Sequence, residues 1–401
     1  MRSLLLVWFA LWSQASAWIP HNPQTRLSVA LQATGTTPEK VKSSGCGIPM
    51  QPAGRRHLFD PATDGKMRND SVNSRIEQGP TFSYLHKAMG LPADVQMVEA
   101  QDWLEDIGVP TGTFKPAQPG QATVIGRTRL IDEDIDGDIQ HVILQLPEGF
   151  RYVEGQSISV IPPGTQANGK PHKPRLYSIA STRYGDLLDG RTVSLCVRRA
   201  EFRNPDGSVD PEKKGVCSNF LCDAQPGDVV QVAGPVGKTM LLPETGSDQD
   251  LIFVATGTGI APFRAFWQRL LMENTVAKHL YNGQIWLILG VPTRGGLLYP
   301  DEIAEIQQQV GRDKFGVEYA LSREQTNADG SKRYVQDVLR DNAVELFDKL
   351  DKGAVIYFCG LKAMMPSILE TLQGVAAQRG INWDDKLKEL KNNGQWHVEV
   401  Y

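Results

Sequence analysis

Five short segments carry side chains whose types and spacing could do chemistry together. In Arg175-Leu176-Tyr177-Ser178 a strand-like alternation sends Arg175 and Tyr177 to one face and Leu176 to the other. An arginine fork holds a pyrophosphate, an aromatic ring covers a flat heterocycle, and a hydroxyl hydrogen-bonds a ring nitrogen. The same four residues also fit an ordinary surface strand with a buried tyrosine. In Gly215-Val216-Cys217-Ser218-Asn219-Phe220-Leu221, Ser218 or Asn219 is expected to cap a helix starting near Phe220, turning backbone N–H groups toward an anion. Thr256-Gly257-Thr258-Gly259-Ile260-Ala261-Pro262 follows an apolar run directly. Its glycines permit a tight strand-to-helix turn with close approach of a diphosphate, and Pro262 suits a first helical turn.

The fourth segment is Ser322-Arg323, with Lys332 and Tyr334 close behind. Two cations, a hydroxyl and a stacking ring suit an adenosine bearing a 2′-phosphate. The ribose-binding acid expected about twenty residues after a glycine-rich NAD turn is missing, so NADP(H) is favoured over NAD(H). A solvated turn is the plainer reading of the same residues. The last segment is Val398-Glu399-Val400-Tyr401, whose alternation reads as a docked strand that brings an aromatic ring to a site.

The elements that must position these residues divide into two kinds. Residues 123–131, 139–146, 157–161, 176–180, 192–199 and 229–232 are short, β-rich and separated by Gly, Pro and Asp turns, as in a small antiparallel barrel. Further on, apolar runs at 251–255, 285–290, 317–321, 355–359 and 397–401 alternate with helical patterns at 262–273, 300–310, 334–350, 363–379 and 383–391. Continuous apolar strands alternating with helices predict a doubly wound parallel sheet. The expected fold class is therefore two-domain: an antiparallel β-barrel at 116–245 and an α/β doubly wound domain at 246–401.

The 401 residues are 41% hydrophobic and 22% charged, with a formal net charge of −4. That balance excludes bulk phosphate neutralisation, so no nucleic acid is expected as partner. No run of about 18 apolar residues suggests a membrane span. Cys46, Cys196, Cys217, Cys222 and Cys359 form no CxxC pair and no disulfide framework, and no metal site is expected. Residues 1–17 read as a signal peptide, with Arg2 before an apolar run and Ala15-Ser16-Ala17 as a cleavage pattern. Residues 18–45 contain only Glu39 as an acid and read as a transit-like segment. Together these predict a plastid address behind extra membranes; simple secretion is the alternative. Residues 46–115 remain a linker, tether or docking element.

From Thr123 to Tyr401 the chain resembles plant-type ferredoxin–NADP(+) reductases. The resemblance is carried by GKPHKPRLYSIAS, LCVRR, GVCSNFLCD, GPVGK, ATGTGIAPFR, GVP, LSREQTN, FCGLK and WHVEVY, in order and spacing. It implies that the barrel binds FAD and the α/β domain binds NADP(H). FAD would take single electrons from two reduced ferredoxins and pass a hydride to NADP+, reversibly, in photosynthetic electron transport at the thylakoid. A non-photosynthetic isoform running from NADPH to ferredoxin is the alternative. By resemblance, Arg175, Leu176, Tyr177, Ser178, Cys196, Val197, Arg198, Phe202, Gly215, Val216, Cys217, Ser218, Thr256 and Tyr401 belong to the FAD site. Ser178, Arg198, Thr256, Val291, Pro292, Ser322, Arg323, Lys332, Tyr334, Gly360, Leu361 and Glu399 belong to the NADP(H) site, and Ser178, Cys359, Glu399 and Tyr401 surround the reacting edge.

The chain departs from the family pattern at Phe202, where a tyrosine is usual, and at Ala363, where a glycine is usual. An acidic ferredoxin needs a basic docking face, for which Lys170, Lys173, Arg199, Lys214, Arg264, Lys388 and Lys391 are the candidates. A related reductase feeding a haem or a second flavin domain, and a non-catalytic scaffold, are the competing readings. The second requires losses at Arg175, Ser178, Glu399 or Tyr401, and all four residues are present.

Overall fold

The β-rich first part pairs as the turn spacing predicts. In the computed structural model, which describes residues 109–401 except 167, 211–212, 244–247 and 274–275, strands β1 (Gly120–Arg129), β2 (Ile139–Gln145), β3 (Ser157–Ile161), β4 (Arg175–Ser178), β5 (Thr192–Arg198) and β8 (Val229–Val236) form one antiparallel sheet. Its order is β4-β3-β8-β1-β2-β5. An Ile179–Leu195 bridge and the Ala180 N–H to Ser194 carbonyl bond of 2.8 Å join its two ends, which closes the sheet on itself. Inside lie Val142, Leu144, Ile158, Val160, Val193, Leu195 and Val232. Helix α1 (Val216–Asp223) adds Cys217, Leu221 and Cys222 to the same core. A two-residue hairpin, β6 (Phe202–Arg203) with β7 (Val209–Asp210), had no apolar pattern to announce it because it lies at the surface.

The second part is a parallel sheet of β9 (Leu251–Thr256), β10 (Ile285–Val291), β11 (Phe315–Leu321), β12 (Val355–Gly360) and β13 (Trp396–Val400), in the order β11-β10-β9-β12-β13. One face packs against α2 (Ala261–Trp267), its π-helical continuation Gln268–Met272, and α4 (Pro300–Val310); α3 (Val276–Leu280) lies between β9 and β10 in the chain. The other face packs against α5 (Val335–Asp341), α6 (Ala343–Asp351), α7 (Met364–Gln378) and α8 (Trp383–Asn392). Burial on both faces is why the central strands read as unbroken apolar runs. The single helix expected at 334–350 is two helices. Asn342 leaves helical geometry between them, its side chain donating to the Val338 carbonyl and to Glu318.

A buried polar network joins the two sheets. Arg264 on α2 is 1% exposed and donates to Asp186 Oδ1 (2.8 Å), to the Ala180 carbonyl (2.9 Å) and to Glu302. Although burial alone would raise it, Arg264 and His141 hold the Asp186 carboxyl well below the usual carboxylate range. Nearby, burial is outweighed for Glu154 by Arg183 and Arg269, which bring it down to about 2. Glu273 has no such cation to dominate it: burial pushes it up to about 8, against the Thr182 hydroxyl that donates to it at 2.8 Å.

Glu273 therefore holds a proton in the folded protein that the unfolded chain releases near its ordinary 4.5. Its contribution to stability falls as pH rises from about 4.5 to about 8. Glu273→Gln keeps the acceptor for Thr182 and removes this titration. Thermal unfolding is expected to show little difference from wild type at acid pH and a gain that grows toward pH 8, by up to ~1.4 kcal/mol per pH unit.

Candidate functional site

The parallel sheet reverses its strand order between β9 and β12, and ligands bind at the carboxyl ends of strands at such a switch point. Those ends carry Thr256-Gly257 and Gly360-Leu361. Thr256 Oγ1 accepts the Leu361 N–H at 3.0 Å and donates to Met364 Sδ at 3.3 Å, which ties the two turns together. A Cβ on Gly259 would sit 2.1 Å from the Cys359 carbonyl, and one on Gly360 (φ 140°) would sit 2.2 Å from Thr256 Oγ1. The backbones touch there because neither residue has a side chain.

Barrel strand β4 faces this crevice. In the parallel register Cys359 lies beside Glu399, and in the antiparallel one Ser178 lies opposite Ser157. Glu399 Oε1 accepts from Ser157 Oγ at 2.9 Å and, more weakly, from Ser178 Oγ at 3.4 Å. Ser178 also hydrogen-bonds the Cys359 thiol, which burial pushes up to about 12. Burial raises Glu399 as well, against its two serine partners. Tyr401 hydrogen-bonds Thr258 Oγ1 at 2.6 Å, its N–H donates to the Gly360 carbonyl, and its ring is 59% exposed. Ser178, Cys359, Glu399 and Tyr401 thus come from three strand ends to one edge. Their partners Ser157 and Thr258 escaped the sequence reading, although Ser157 lies one strand register from Ser178 and Thr258 lies inside the glycine turn.

Next to this edge, Tyr177 bonds the Cys217 thiol, and Arg175 is close enough for its charge to act on both. Arg175 is exposed and has no ion pair among the described residues; its one bond is to the neighbouring Pro174 carbonyl at 3.5 Å. Helix α1 begins at Val216, not near Phe220, and Gly215 is its N-cap, with no side chain capping that end. Ser218 and Asn219 do not cap because they stitch the loop to β5: Ser218 Oγ accepts the Ala200 N–H, and Asn219 donates to the Gly215 and Ala200 carbonyls. The uncapped N–H groups beside an unpaired arginine suit a pyrophosphate. Exposed Leu176, Val216 and Phe202 supply apolar surface that a ring system would cover. The donors present therefore fit FAD. Cys196 and Val197 are buried, Val197 in the barrel core, whereas Arg198 is exposed and unpaired among the described residues.

At the far end of the crevice, the Ser322 and Arg323 N–H groups donate to the Val291 and Pro292 carbonyls, joining the ends of β10 and β11. Arg323 and Lys332 are exposed without an ion pair among the described residues, while their neighbours Arg333 and Arg340 are taken by Asp341 and Asp337. Tyr334 caps α5 and leaves its ring 45% exposed. Two free cations and a free ring fit a 2′-phosphoadenosine. Ala363 stands at the N-cap of α7 with φ −63°, so the departure from glycine brings no backbone strain.

Two of the docking cations do not serve as such. Arg264 is buried in the network between the sheets, and Arg199 is spent on Asp138 and Asp223. Lys170, Lys173, Lys214, Lys388 and Lys391 are exposed and unpaired among the described residues. No helix of the described residues is long and apolar enough to cross a membrane, and none of their side chains form a cluster suited to a metal ion. The readings of 1–17 and 18–45, and nearly all of 46–115, fall outside the described residues.

Gly259→Ala is expected to force β12 away from the turn, at a cost of about 1–3 kcal/mol in stability. Denaturant titration, together with faster labelling of Cys359 by a thiol reagent, measures this.

A family model described as "Oxidoreductase NAD-binding domain" matches residues 253–370. The chloroplastic ferredoxin–NADP reductase, root isozyme, of Oryza sativa subsp. japonica is 50% identical over 295 residues, covering 73% of this chain and 78% of that one. The chloroplastic ferredoxin–NADP reductase of Chlamydomonas reinhardtii is 47% identical over 302 residues, covering 74% and 84%. A solved ferredoxin–NADP+ reductase from Plasmodium falciparum, at 23% identity, shares the fold with a TM-score of 0.57 over 72% of this chain and 99% of that chain. With half of the aligned residues identical over most of both lengths, the chain belongs to the ferredoxin–NADP reductase family of flavin-dependent oxidoreductases.

Proposed function

We propose that this protein exchanges electrons between a ferredoxin and NADP(H) through FAD, with net flow toward NADPH. The observation that carries the reading is the meeting of Ser178, Cys359, Glu399 and Tyr401 at one edge between the sheets. Bound FAD supplies the conversion between single electrons and a hydride. Arg175 and the N-terminus of α1 would hold its pyrophosphate, Tyr177 would cover its ring, and Phe202, with Lys213 4.8 Å from the phenyl centroid, would take its adenine. Ser322, Arg323, Lys332 and Tyr334 hold the phosphorylated adenosine of NADP(H), and the paired glycine turns bring the backbone against its diphosphate. Glu399, raised by burial against the two serine hydroxyls it accepts from, is the group placed to exchange a proton at the reacting edge. Tyr401 shields that edge from water until nicotinamide enters.

The FAD-binding part is taken as 116–245 and the NADP(H)-binding part as 246–401. Residues 1–17 and 18–45 are read as a plastid address and 46–115 as an extension that could tether the enzyme at the thylakoid. The chloroplastic names of the relatives support a plastid location.

The purified protein is expected to be yellow, to release FAD on denaturation, and to reduce ferricyanide with NADPH far better than with NADH; a colourless protein overturns the reading. Arg323→Gln with Lys332→Gln is expected to raise KM for NADPH on the order of 10- to 100-fold and to leave NADH unchanged. Turnover with a ferredoxin, measured in both directions, tests the direction. Ferredoxin-dependent turnover is expected to fall steeply with salt while ferricyanide reduction changes little, because the remaining lysines act through a screened field.

A further inference from the structure

Tyr299 stands out for its conformation and its reach. It precedes Pro300 at the start of α4 with φ 53° and ψ 34°, a left-handed backbone that is unfavourable for a side chain of this size. It belongs to the parallel-sheet part of the chain, yet its phenol packs against the outer face of the barrel, where Cys196 shares its cluster. The hydroxyl lies 3.0 Å from Nδ1 of buried His141 on β2, and His141 Nε2 lies 2.8 Å from Asp186 Oδ2. The hydroxyl also meets the thiol of Cys196 on β5. The Arg264 guanidinium covers the ring with its carbon 5.0 Å from the centroid.

The chain ends on a fixed acceptor. The Asp186 carboxylate, held low by Arg264, accepts from His141 Nε2. His141 Nδ1 shares a hydrogen bond with the Tyr299 hydroxyl, which also bonds the Cys196 thiol. Cys196 is therefore oriented by a relay that ends on a fixed carboxylate. Cys196 and Arg198 are in turn neighbours of Tyr401, whose phenol feels both of them and Cys359.

We propose that Tyr299 is a positioning residue for hydride exchange: it locks β5, with Cys196 and Arg198, at the distance from the ends of β12 and β13 that aligns the two reacting rings. The inference rests on the reading of the crevice as the FAD and NADP(H) site. Strain at Tyr299 persists because three contacts in two parts of the fold, with His141, Cys196 and Arg264, hold its side chain.

The test uses the FAD-loaded protein with Tyr299→Phe, which keeps the ring under Arg264 and removes only the hydroxyl. Expected are a fall in the limiting hydride-transfer rate on the order of tenfold, an unchanged KM for NADPH, and a weakened long-wavelength absorbance of the flavin–nicotinamide pair on mixing with NADP+. Affinity for 2′-phospho-AMP, which occupies only the adenosine end, is expected to be unchanged. His141→Asn, which breaks the relay one step further away, is expected to reproduce the rate and absorbance changes. Wild-type rates and absorbance in both variants overturn the proposal, as does a loss that merely follows lowered Tm and FAD content. Failure of the unsubstituted protein to bind FAD at all would instead overturn the underlying functional reading.

Discussion

The structure depends on one buried charge. Arg264 has left water almost completely, and a guanidinium can do so only where acceptors surround it. Asp186 and the Ala180 carbonyl come from the barrel side, and Glu302 comes from α4 on the other. Glu302 is itself held by the indole N–H of Trp267 at 2.6 Å. Because the acceptors lie on both sides, the arginine is satisfied in only one relative placement of the two sheets. The reacting edge requires the same placement, since Ser157 and Ser178 come from the barrel and Cys359, Glu399 and Tyr401 from the parallel sheet. Site geometry and interface electrostatics are therefore one constraint.

Much of this was legible in the sequence, and for identifiable reasons. The parallel strands announced themselves because burial on both faces leaves no polar alternation. The glycine turn was legible because close backbone contact admits nothing larger, as the 2.1 Å approach at Gly259 illustrates. The residues that meet at the crevice edge could be named because the motifs that carry the family resemblance are local. What stayed hidden was long-range. Arg264 sits in the motif GTGIAPFR and reads as a surface cation; only the folded structure brings Asp186, 78 residues away, to it. Arg199 misled in the same way. Charge in a sequence says nothing about whether an acid from another element will arrive beside it.

Boundaries failed where side chains compete with the backbone. Asn342 interrupts an amphipathic pattern that is otherwise continuous, because its amide binds Glu318 and the preceding turn. Ser218 and Asn219 have the residue types of caps, but their side chains are spent on the loop behind the helix. That leaves the N-terminus of α1 open, and the same substitution of duties prepares the anion site.

The long hydrogen bond from Ser157 to Glu399 closes a loop of 242 residues. The barrel, the uncapped helix and the glycine turn are complete without it, whereas the reacting edge needs β13, the outermost strand of its sheet. The carboxylate reaches the serines only while β13 is paired to β12. Displacing that one strand would part the carboxylate from the serines and leave the nucleotide-facing turns intact, so competence for turnover reports on the rim of the sheet more than on either core.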